Sequence, residues 1–135
     1  MNKKELAARL HEKGYNCAQA VACAFAEEVG VSSDLIFKAA EGFGGGMGSG
    51  DGVCGAVSAV LLLAGLKNSG GEANPVTKKE TYRISAEAMA KFKEKNGSCI
   101  CKEIKGMGTG VMLRSCGGCI DDCIDIASEL LFGGK

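Results

Sequence analysis

Eight cysteines carry the conspicuous reactive chemistry of this chain: Cys17, Cys23, Cys54, Cys99, Cys101, Cys116, Cys119 and Cys123. Beside them stand one histidine, one proline and no tryptophan in 135 residues. Thiolates attack disulfides and oxidants and bind soft metals, so the chemistry on offer is thiol redox exchange or metal ligation. Cys54 ends a glycine-rich run, Gly42-Phe-Gly-Gly-Gly-Met-Gly-Ser-Gly-Asp-Gly-Val-Cys, and opens an apolar stretch. A thiol in the first turn of a helix meets unpaired N–H groups and the positive end of the dipole, which favour its thiolate. Gly44, Gly45, Gly46 and Gly52 let the backbone come close to a substrate, a cluster or a neighbouring helix, which makes them candidate cofactor-binding positions. A plain flexible turn admitting the buried helix is the competing reading. A phosphate loop is disfavoured, because no strand precedes the run and no Gly-Lys-Ser/Thr follows it.

The densest sulfur group is C-terminal: Cys99-Ile-Cys101, then Cys116-Gly-Gly-Cys119, then Cys123. Cys99, Cys101, Cys116 and Cys119 together supply the four thiolates that a tetrahedral zinc or an iron–sulfur cluster takes. The same Cys-x-x-Cys also suits a redox dithiol. Cys123 repeats with Ile120 and Ala127, so it reads as a small core residue, and Cys23 is assigned to packing with it. His11 lies in a charged segment and reads as a surface residue.

The elements that must position these thiols are all helical. Apolar periodicity and caps predict helices over 3–13, 17–29, 33–41, 53–66, 75–95 and 119–132, with a short one over 98–105. Residues 42–52 read as a loop and 106–118 as irregular. In 53–66 only Ser58 is polar, which marks that helix as the buried centre of a bundle. The expected fold is therefore an all-α, single-domain bundle over 1–135, with about six to seven helices around 53–66. Four sulfurs on four elements can converge inside such a bundle.

Composition removes several function classes. Sixteen basic residues balance sixteen acidic ones, so no basic field attracts nucleic acid, and the few aromatics offer little for base stacking. The apolar run 53–66 is too short to span a membrane, and the charged N-terminus lacks a secretory stretch. A cytoplasmic protein is expected, where thiols stay mostly reduced.

The order of motifs adds a resemblance. Gly14-Tyr-Asn-Cys17, Gly42-Phe-Gly-Gly-Gly-Met-Gly48, Gly52-Val-Cys54-Gly-Ala-Val-Ser58, Cys101-Lys-Glu-Ile104 and Cys119 opening a last helix resemble the CGCAxxGCC-motif family of small redox-active proteins. The likeness covers nearly the whole chain. It implies an all-helical fold and a redox role, with the family's four characteristic cysteines at Cys17, Cys54, Cys101 and Cys119. Related domains of haem-bearing electron-transfer proteins make an iron–sulfur centre an expectation as well. Ala59 replaces a family glycine and Ile120 a frequent proline, while Cys99, Cys116 and Cys123 are additions.

Two functions follow as expectations. In the first, Cys17, Cys54, Cys101 and Cys119 meet at one redox site, which either ligates a cluster or metal or exchanges thiols for disulfides with a redox partner or small-molecule oxidant. In the thiol form Cys54 attacks and another of the four resolves. In the second, a non-catalytic helical adaptor holds a structural zinc on the C-terminal cysteines. Short helices and an apolar centre are compatible with a homodimer.

Overall fold

The computed structural model describes residues 1–133. Polar caps fix where its helices begin. Asn2 accepts the Glu5 N–H (2.8 Å) ahead of α1 (Lys3–Glu12). Asn16 heads α2 (Cys17–Ala24) in a capping box: it accepts the Gln19 N–H (2.8 Å), and the Gln19 side chain accepts the Asn16 N–H (2.9 Å). The helix expected over 17–29 breaks at Phe25 and resumes as α3 (Ala26–Val29), which Gly30 ends in the left-handed region. Phe25 is fully buried and stacks on Phe132 at 4.7 Å, so tertiary packing takes the residue out of the helix line. Ser32 caps α4 (Ser33–Ala40) by accepting the Leu35 N–H.

The glycine run is more ordered than the expected loop. After a 3₁₀ turn at Glu41–Phe43 comes α5 (Gly44–Met47). Gly45, Gly46, Met47 and Gly48 have φ of 64°, 67°, 61° and 77°, one turn of left-handed helix. The Gly48 N–H donates to the Gly44 carbonyl (3.0 Å) and the Gly50 N–H to Gly45 (2.9 Å), closing the turn. Left-handed helix costs an L side chain roughly 1–2 kcal/mol per residue, which glycine avoids.

The central helix is α6 (Gly55–Asn68), two residues later than the expected 53–66. Val53 is spent on an isolated antiparallel bridge to Ile100, and Cys54 becomes the N-cap. Ala56, Val57, Ala59, Val60, Leu63 and Ala64 are buried, whereas Leu66 is exposed, so the helix reaches the surface at its far end. It packs against α2, against α7 (Lys78–Asn96) and against α9 (Cys116–Leu131). On α7 the inward face is Ile84, Ala88 and Phe92 at four-residue spacing, whereas Tyr82 is exposed. α8 (Cys101–Lys105) is a short helix that packs against α5. Among the described residues there is no strand, and no helix is long and apolar enough to cross a membrane. The architecture is all-α, as the sequence predicts.

α9 begins three residues before the expected 119. Ser115 accepts the Gly118 N–H (3.0 Å), so Cys116-Gly-Gly-Cys119 is the first turn of a helix rather than a knuckle. Glycine is a poor helix former, and the local reading follows that propensity. The cap and the burial of Gly118, Cys119, Ile120 and Cys123 override it.

A candidate redox site at converging helix N-termini

Five thiols border one cavity: Cys17, Cys54, Cys101, Cys116 and Cys119. Each lies at the start of a helix. Cys17 opens α2, Cys54 caps α6, Cys101 opens α8, and Cys116 and Cys119 share the first turn of α9. Positive dipole ends thus gather around sulfur, the arrangement that stabilises a thiolate.

Backbone contacts explain the convergence. The Cys54 N–H donates to the Cys99 carbonyl (2.7 Å) and the Cys101 N–H to Gly52 (3.0 Å), which clamps the α6 cap to the start of α8. The Asn16 side-chain amide donates to the Glu41 carbonyl (3.0 Å), tying the start of α2 to the glycine turn. Gly55 permits a close backbone approach: a Cβ there would lie 2.9 Å from the Phe43 carbonyl oxygen and 3.3 Å from the Ala18 nitrogen. The Leu113 N–H donates to the Ile104 carbonyl (2.7 Å), bringing the segment before α9 beside α8.

The candidate glycines divide by role. Gly45 borders the cavity. The side chain of Cys101 fills the space where a Gly46 Cβ would sit, and Asn16 does the same at Gly44. Gly52 supplies the carbonyl that holds Cys101. These three act through close packing.

The electrostatics single out Cys54. Interaction with the Cys119 thiol lowers its pKa most; burial opposes this, and the N–H groups of Val57 and Ala56 and the Lys105 charge add to the lowering. The sulfur makes no regular cap hydrogen bond at the helix start. The result is a pKa of about 7, against an ordinary 9.0. Cys119 moves the other way: its interaction with Cys54, then burial, push its thiol up. The two thiols titrate as a coupled pair sharing a proton, with ionisation favoured at Cys54. Burial, then the neighbouring Cys116 and Cys54, push Cys17 up to about 12. Burial also raises Cys101, with Lys105 opposing.

Lys105 and Arg114 border the cavity and were not singled out from sequence. Interaction with the neighbouring Cys116 holds the Lys105 ammonium above its ordinary pKa. A signal existed: Lys105 lies four residues after Cys101, hence on the same helix face. Arg114 lies across Gly118, where a Cβ would come within 2.5 Å of its guanidinium. It pairs with the buried Asp122 (3.1 Å), which also accepts from Lys95 and Asn96.

Three cysteines stay apart from the cavity. The Cys99 thiol donates to the Met89 carbonyl (3.3 Å), and Cys23 donates to the Ser33 carbonyl (3.6 Å). Cys123 is fully buried in the core. The set Cys99, Cys101, Cys116 and Cys119 is therefore not brought together, because the bridge at Ile100 aims Cys99 toward α7. The thiols are right in kind for zinc or an iron–sulfur cluster, but their disposition is not. Among the described residues no three His, Cys, Asp or Glu side chains are set to hold one ion. The cavity measures about 20 Å³, room for about one water molecule. As arranged, these residues do not fit either group.

An all-α scaffold presenting helix-start thiols to one small cavity defines a cysteine-based redox class. Residues 15–130 match the family described as "Putative redox-active protein (C_GCAxxG_C_C)", and the chain belongs to that family. No curated protein and no solved structure was found to match the chain.

Proposed function

We propose that the protein is a thiol–disulfide redox protein in which Cys54 is the nucleophile and Cys119 its disulfide partner. The observation that carries this reading is that the buried Cys54 and Cys119 border the same cavity, where interaction with Cys119 lowers the Cys54 pKa to about 7. A thiolate available at neutral pH, beside a second thiol, is what disulfide formation requires. Closing the Cys54–Cys119 bond from one thiolate and one thiol passes two electrons to an acceptor, either a redox partner or a small oxidant, and releases one proton. A peroxide would do so by oxidising Cys54 to the sulfenic acid, which Cys119 then attacks with loss of water. Cys17 and Cys101 complete the sulfur wall of the site, with Lys105 balancing the negative charge.

The test is peptide mapping of protein purified anaerobically, reduced, then oxidised stoichiometrically. A Cys54–Cys119 disulfide is expected, with Cys54 alkylation inflecting near pH 7 beforehand. Two results would overturn the reading. One is alkylation of Cys54 that rises only near the ordinary thiol value. The other is iron and sulfide retained after anaerobic purification and lost in Cys54→Ser.

A further inference from the structure

Cys54 and Cys119 are 6% and 3% exposed, behind a cavity about one water wide. A water-sized oxidant fits that space, whereas a disulfide carrying organic groups on both sulfurs does not. Cys17 and Cys116 are half-buried and border the same cavity as the buried Cys54 and Cys119. The four thiols thus run from partly exposed to buried around one small space, with Lys105 on its wall.

We propose that Cys116 is the thiol that meets bulky disulfides, and that Cys17 and Cys54 pass the oxidation inward to Cys119. This rests on the Cys54–Cys119 reading and adds its substrate class: organic disulfides, small or on a protein. Cys116 opens the 16-residue α9, and the Lys105 side chain borders the same cavity.

The steps balance. Cys116 thiolate attacks one sulfur of R–S–S–R; that bond breaks, Cys116–S–S–R forms, and RS⁻ leaves to take up a proton. Cys17 gives up its proton and attacks the Cys116 sulfur, forming Cys17–Cys116 and expelling the second RSH. Cys54 thiolate attacks Cys17, which frees Cys116. Cys119 attacks Cys54, and its proton goes to the departing Cys17. The net change is one R–S–S–R reduced to two RSH and one Cys54–Cys119 disulfide formed.

The test compares oxidised glutathione with hydrogen peroxide on the reduced full chain, reading the Cys54–Cys119 disulfide by quenched peptide mapping. In Cys116→Ser the ratio of the glutathione rate to the peroxide rate should fall roughly tenfold or more, because exchange depends on access to the attacking thiol. In Cys17→Ser a glutathione adduct should accumulate on Cys116. An unchanged ratio in Cys116→Ser, or an adduct on Cys54 instead of Cys116, would overturn the proposal while leaving the buried pair standing. Failure of wild type to form Cys54–Cys119 with either oxidant would overturn both. Peroxide oxidation within each variant reports that its inner site is still folded.

Discussion

Replacing Cys119 with alanine removes the largest influence that lowers the Cys54 pKa, while burial, which opposes ionisation, stays. The Cys54 value should climb from about 7 toward its ordinary 9.0. At pH 7 that takes the thiolate fraction from roughly one half to roughly one hundredth, a loss of about fiftyfold for a full two-unit shift. A more basic thiolate is also a better nucleophile, by roughly six- to tenfold over two units at a Brønsted slope of about 0.4–0.5. The net alkylation rate at pH 7 should therefore fall about five- to eightfold, as an upper bound for a complete shift. Above the ordinary thiol pKa both proteins are ionised, and the variant should overtake the wild type. The assay is iodoacetamide labelling across a pH series, with Cys54 quantified by peptide mass spectrometry. A Cys119→Ala profile that superimposes on the wild type, with no crossover, would refute the assignment of the shared proton. Cys119→Ser keeps a hydroxyl donor and should fall between the two.

Other consequences can be measured. Gly46→Ala puts a side chain at φ 67° and onto Cys101, whereas Gly45→Ala at φ 64° meets open space. Gly45→Ala should cost roughly 1–2 kcal/mol in urea unfolding and Gly46→Ala clearly more, because only the second adds a clash to the left-handed strain. Burial raises the Asp122 pKa, but Arg114, Lys95 and Asn96 outweigh it and hold the carboxyl below its ordinary value. A depressed acid contributes stability above its unfolded pKa and loses it as pH falls through the folded one. The wild type should thus weaken below about pH 4 more steeply than Asp122→Asn, and matched acid-unfolding curves would show the idea to be wrong. Cys99→Ser and Cys23→Ser should leave the Cys54 alkylation profile in place, since both thiols bond to carbonyls away from the cavity; a shifted inflection in either would place them at the site.

Much of the helix pattern was legible because caps are local. Asn16 with Gln19 announces α2, and Gly30 and Gly97 end helices in left-handed conformations that favour glycine. The misreadings share one cause. Phe25 leaves the helix to stack on Phe132, 107 positions away in the chain, and Cys116-Gly-Gly-Cys119 becomes helical although its glycines argue against it. In both places long-range burial outweighs local propensity. Ser115 is a cap signal in plain sight, masked by reading 106–118 as irregular and the two cysteines as metal ligands or a dithiol.

What the sequence determined by itself was the class of chemistry and the all-helical frame. Thiols are the main reactive groups present, apolar periodicity sets the helices, and the motif order points to Cys17, Cys54, Cys101 and Cys119. Tertiary structure alone decided which thiols are neighbours, which of them face solvent, and which keep their protons. The physical reason is that a thiol's ionisation depends on burial, on helix starts and on charges such as Lys105 that reach it through space. Residues 17, 54, 101, 116 and 119 become one site only when the bridge at Val53–Ile100, the bare backbone of Gly55 and the Asn16–Glu41 bond draw four helix starts together.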